Sequence, residues 1–70
     1  MTNKSIKAIA AKLRKTRQDK GLTQEDVATK AGLSTNYYAR IERAEVTPSV
    51  DTLEKLVKAL KIKSAEILPF

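Results

Sequence analysis

The chain contains no cysteine, no histidine and no tryptophan. Without cysteine there is no disulfide framework, no thiolate nucleophile and no zinc finger or ribbon; without histidine there is no imidazole base and no ordinary metal cluster. Enzyme chemistry would have to rest on carboxylates, hydroxyls or lysines alone. Glycine is scarce as well: Gly21 and Gly32 stand far apart, which excludes a Walker loop or a dinucleotide fingerprint. The longest apolar run is four residues, Ala8 to Ala11, far short of the roughly 20 needed to cross a bilayer, and no signal-peptide core is present. These absences lead us to expect a soluble, cytoplasmic, non-enzymatic protein with no metal, no cofactor and no evident small-molecule ligand.

What is present is charge and helix-forming sequence. Seventy residues carry fourteen Lys and Arg against eight Asp and Glu, a formal charge of +6. A chain of this length makes one domain, residues 1–70, and buries only roughly 60% of its unfolded surface, so a second copy would help to stabilise it. The basic excess suggests a polyanionic partner, nucleic acid first and an anionic membrane surface second, although it also lies within the range that serves solubility alone.

No stretch alternates as a strand would. Ile6, Ile9, Ala10 and Leu13 recur at helical spacing within residues 4–20, and Gly21 follows where a left-handed terminating residue belongs. Extending this stripe from Leu13 reaches Arg17, a permanent cation aimed inward that requires a carboxylate. Thr23 caps a second helix, Gln24 to about Ala31, with Asp26 completing a capping box and Leu22 opposite Val27 as a staple. Gly32 stops it, Leu33 folds back, and Ser34 caps a third helix over about 35–44, with Leu33 and Tyr38 as its staple. A three-residue turn between two short helices is the dimension of a helix-turn-helix, here about residues 23–43, and a generic helical hairpin is the plain alternative. After a loop at 45–49, Ser49 caps a fourth helix whose apolar set is Val50, Leu53, Leu56, Val57 and Leu60; Ser64 is placed to cap a final turn, Ala65 to Leu68. The expectation is an all-α domain of five helices.

On a helical wheel, Tyr38, Ile41 and Glu42 share the inward side of the third helix. Glu42 thus becomes the expected partner of Arg17. The opposite side carries Asn36, Arg40 and Arg43, flanked by Tyr37 and Ala39, with Thr35 in the first turn. Such a face suits the major groove: Asn can bond an adenine edge, Arg a guanine edge, and Thr a base edge or thymine methyl. Ala39 would allow close approach. Gln24, at the first position of the second helix, stands where free N–H groups and the helix dipole favour a phosphate. A solvated polar face is the plain alternative for each of these.

Leu22-Thr23-Gln24-Glu25-Asp26-Val27-Ala28, Ala31-Gly32-Leu33-Ser34, Tyr37, Ile41-Glu42-Arg43 and Pro48-Ser49-Val50, followed by Leu53, Leu56 and Ala59-Leu60, resemble the phage-repressor/Cro-type, or XRE-like, helix-turn-helix family over about residues 6–62. Size, the Lys20 to Asp26 segment and Tyr37 are most similar to controller proteins of restriction–modification systems. The resemblance implies a five-helix, lambda-repressor-like domain that binds a pseudo-palindromic operator as a homodimer. It implies base contacts from Thr35, Asn36 and Arg40, and phosphate contacts from Gln24, Ser34, Tyr37, Arg43 and Thr47. It pairs an arginine late in the first helix with the glutamate before Arg43, and leaves Ile67, Leu68 and Phe70 as dimer contacts. The chain departs from many members in having Ala44 where they have glycine.

A transcriptional regulator, repressor or dual activator and repressor, is therefore expected, autoregulatory, with a restriction–modification operon as a candidate target. The alternatives are an antitoxin that autoregulates through the same helices and, more remotely, a membrane-surface binder using the basic first helix. Residues 1–20 hold seven basic groups and one acid, whereas residues 21–46 hold three against four. The positive charge is thus the non-specific component, and the nearly neutral middle must carry selectivity through placed side chains.

Overall fold

A computed structural model describes residues 3–61, which form four helices: α1 Asn3–Asp19, α2 Gln24–Ala31, α3 Thr35–Glu42 and α4 Val50–Leu60. No strand occurs among the described residues. The expected fifth helix and the dimer candidates Ile67, Leu68 and Phe70 lie outside them.

Helix boundaries follow from local chemistry. The Thr23 hydroxyl accepts from the Asp26 N–H at 3.0 Å while the Asp26 carboxylate accepts from the Thr23 N–H at 2.9 Å, a closed capping box. Ser34 and Ser49 cap α3 and α4 by accepting from the N–H groups of Tyr37 and Thr52, each at 3.1 Å.

The C-termini of α1, α2 and α3 share one closure. Leu22 N–H reaches Arg17 O, Leu33 N–H reaches Ala28 O, and Glu45 N–H reaches Arg40 O, at 3.1, 2.8 and 2.9 Å. Each is the six-to-one bond of a Schellman motif, which requires a left-handed residue just before the donor. Gly21 and Gly32 supply it at φ of 69° and 72°; Ala44 supplies the third at 59°, carrying a Cβ into a region that glycine occupies freely. This closure ends α3 at Glu42, short of the expected end near residue 44.

The core gathers Ile9 and Leu13 of α1, Val27 and Ala28 of α2, Tyr38 and Ile41 of α3, and Leu53, Leu56 and Leu60 of α4. Each fully buried large side chain contributes about 1.5–3 kcal/mol through area removed from water. α2 packs against both α3 and α4, and α1 packs against α3, so α3 is held from two sides. Leu22 and Leu33, the residues after the two glycines, pack against this core. Two expectations are corrected. Val50, assigned to the apolar stripe of α4, is 70% exposed because it occupies the first turn, where the helix emerges from the loop. Ala39, expected on the outward face of α3, is buried: at the margin of the wheel its small side chain turns inward.

Candidate nucleic-acid interface

α3 is anchored by buried Tyr38 and Ile41, which leaves Thr35, Asn36 and Arg40 exposed on its other side. The first two lie in its first turn, directly after the Ser34 cap. Ser34 is exposed, with its hydroxyl oxygen engaged by the Tyr37 N–H. Tyr37 is half-buried and its ring packs against the core, so only part of it borders the exposed face. Thr47 is exposed on the loop between α3 and α4.

Beneath this face lies an ion pair that fixes α1, α2 and α3 relative to one another. Arg17 donates through Nε to Glu42 Oε2 at 2.7 Å and through Nη2 to Oε1 at 3.2 Å, a forked geometry that adds direction to charge attraction. Its Nη1 donates to Leu22 O at 2.9 Å, tying the end of α1 to the entry of α2. Gln24 Nε2 donates to Glu42 Oε1 at 3.1 Å. The side chains of Arg17 and Glu42 are 13% and 3% exposed, so the pair is largely removed from water. Burial opposes ionisation of Glu42, but the hydrogen bonds from Arg17 and Gln24, with the Arg17 charge, outweigh it and hold the carboxyl below the ordinary range. Arg17 is correspondingly held more firmly protonated, first by its hydrogen bond to Glu42.

The Tyr38 hydroxyl is buried close enough to this pair to feel its charge. It lies outside hydrogen-bonding geometry to any described group. Desolvation first, then the Glu42 carboxylate, push the phenol well above its ordinary value.

Gln24 therefore has two attachments available. One amide hydrogen is committed to Glu42, which orients the side chain at the start of α2, and the other remains for a partner beside the free N–H groups of the first turn. A groove of about 210 Å³ bordered by Arg14, Arg17, Gln18, Gln24, Glu42 and Arg43 opens next to it. A second groove, of about 340 Å³, runs between α1 and the end of α3 and brings Lys7, Arg14 and Lys15 alongside Arg43. The charge concentrated in α1 thus reaches the end of α3.

Sequence reasoning missed Glu45. Its Oε2 accepts from Arg43 Nε at 2.7 Å, its Oε1 accepts from Arg43 Nη2 at 3.4 Å, and Oε1 lies 3.7 Å from Arg40 Nε. The hydrogen bond from Arg43, with the charges of Arg43 and Arg40, holds the Glu45 carboxyl below its ordinary range. The wheel stops with the helix, whereas the left-handed turn at Ala44 brings the next side chain back beside the two arginines. The signal was present as a residue at the fixed position after that turn.

Two short helices joined by Gly32, Leu33 and Ser34, the second anchored on one side and polar on the other, define a helix-turn-helix protein. The Helix-turn-helix family model matches residues 13–67, and the chain belongs to that family. The HTH-type transcriptional regulator y4dJ of Sinorhizobium fredii is 36% identical over 62 residues, covering 89% of this chain and 80% of the relative. The immunity repressor of Bacillus phage phi105 is 38% identical over 60 residues, 86% of this chain, of which the match spans only 42% of the repressor. Among solved structures, the restriction-modification controller protein C.AhdI of Aeromonas hydrophila superposes with a TM-score of 0.87 at 33% identity, covering 90% of this chain and 96% of that one. The clp gene regulator ClgR of C. glutamicum superposes with a TM-score of 0.85 at 31% identity, over 89% of this chain and 80% of that one. Among the described residues, no helix is long and apolar enough to cross a membrane.

Proposed function

We propose that this protein, a DNA-binding transcriptional regulator of the helix-turn-helix class, binds an operator by laying α3 in the major groove. The observation that carries this reading is the division of α3: Tyr38 and Ile41 fix it to the core while Thr35, Asn36 and Arg40 are exposed on its other side. Asn36 suits an adenine edge and Arg40 a guanine edge, and Thr35 offers a hydroxyl or its methyl. Gln24 and the first turn of α2 grip a phosphate, with Ser34, Tyr37, Arg43 and Thr47 meeting the backbone around it. The lysines and arginines of α1 supply sequence-independent attraction. None of this demands a bound metal or a chemical step, and the relatives are regulators rather than enzymes.

The regulator acts as a homodimer on a pseudo-palindromic operator, in the cytoplasm, and represses or autoregulates its own transcription unit. Similarity to C.AhdI over 96% of that chain supports a role in controlling a restriction–modification operon. In vitro selection of bound duplexes tests the reading. A two-fold consensus with half-sites about 34–36 Å apart is the expected result. Recovery of no consensus would overturn it.

A further inference from the structure

We propose that Glu45 is a specificity-determining residue of the DNA interface, one that tempers the hold of Arg43 on the backbone and discourages Arg40 from settling on a phosphate in the absence of the correct base sequence. The proposal rests on the DNA-binding reading above. Glu45 sits between the two guanidiniums, hydrogen-bonded to Arg43 at 2.7 Å and 3.7 Å from Arg40 Nε. Its position is fixed by the backbone: the Ala44 turn is locked by the bond from Glu45 N–H to Arg40 O at 2.9 Å. All three side chains are about half exposed and gather at the C-terminal end of α3, the helix proposed above to enter the groove.

An arginine on a recognition helix has two attractive destinations, a base edge and a phosphate, and only the first depends on sequence. A carboxylate beside it changes the balance. It repels phosphate oxygens from the neighbourhood of both cations. At 3.7 Å from Nε it attracts Arg40 without a hydrogen bond, so the guanidinium donors remain available to a guanine edge. On mixed-sequence DNA, where binding is almost wholly phosphate attraction, the local charge of this corner is reduced. On the operator, Arg40 is held by a base and gains little from a phosphate, whereas Arg43 meets the backbone on either duplex and contributes alike to both.

Glu45→Gln keeps an acceptor for Arg43 but removes the negative charge. Fluorescence anisotropy over a salt series, with the selected operator and with a mixed-sequence duplex, compares wild type, E45Q and E54Q. Glu54 is an exposed acid on α4, so E54Q removes the same charge away from this corner. For E45Q, mixed-sequence affinity should rise about 1.5- to 5-fold, the scale of an exposed ion pair. Its log–log salt slope should steepen by about 0.9, one further phosphate. Operator affinity should rise less, so that discrimination falls; E54Q should move both duplexes by one common factor. If E45Q also moves both duplexes by one factor with unchanged discrimination, Glu45 has no such role. If wild type does not distinguish the two duplexes at all, the DNA-reading assignment of α3 fails first and the role of Glu45 falls with it.

Discussion

Replacing Arg17 by methionine should cost the domain about 3–5 kcal/mol, and replacing Glu42 as well should return part of that loss. The magnitude follows from burial: Glu42 is 3% exposed and accepts two bonds from Arg17 and one from Gln24. Arg17→Met leaves this carboxylate with the Gln24 amide as its only described donor, and stranding one member of a buried pair typically costs about 3–5 kcal/mol. A 70-residue domain holds only about 3.5–10 kcal/mol in total, so the loss consumes much of the stability. Glu42→Gln is milder, about 1–3 kcal/mol, because Arg17 keeps its bond to Leu22 O and is closer to solvent. Urea unfolding of both single variants and the double variant, followed by helical circular dichroism at a common slope, closes the cycle. We expect a coupling larger than the E42Q loss, about 2–3 kcal/mol, so that R17M/E42Q is more stable than R17M. Additivity within about 0.5 kcal/mol would refute the argument that burial makes the pair interdependent.

The same geometry sets the acid limb. Glu42 ionises at lower pH folded than unfolded, so its contribution is complete above the unfolded carboxylate value of about 4.3 and is lost as pH falls through the folded value. E42Q should flatten this limb in a pH series of urea midpoints; an unchanged limb would contradict the assignment. Tyr38→Phe removes a buried hydroxyl without a hydrogen-bond partner, so it should change stability by less than about 1 kcal/mol, whereas Tyr38→Ala should cost about 3–5. Because the folded phenol titrates above the unfolded one, wild type should lose stability above about pH 10 that Y38F retains, measurable by thermal melts across that range. Ala44→Gly should relieve a left-handed alanine at φ 59°, a strain of about 1–2 kcal/mol, offset in part by about 0.5–1 from added freedom in the unfolded chain. A rise in Tm of several degrees is expected, and a fall would show that the turn is not strained.

Much of this architecture is written in local signals. Thr23, Ser34 and Ser49 mark helix starts because their side chains bond the orphan N–H groups of the following turn, and Gly21 and Gly32 mark ends because each adopts a positive φ. The inward Glu42 was legible because helical periodicity carries a charge to a predictable side, and Arg17 across the core needed such a partner. Val50 and Ala39 misled for the same reason: a wheel gives direction but not depth, and both lie where the packed surface changes. Glu45 and the bond from Gln24 to Glu42 depend on how separate segments approach one another, which no single-helix periodicity contains.

The division of labour between a charged α1 and a selective α3 is tested most directly by Arg40→Ala. Its binding should be measured on the selected operator and on operators changed one base pair at a time, at fixed salt. The account predicts a loss of about 1–3 kcal/mol on the operator, with preference erased at one base pair and mixed-sequence affinity nearly unchanged. An equal loss on every duplex, with all base preferences intact, would place Arg40 among the phosphate contacts and contradict the reading of α3 as the selective surface.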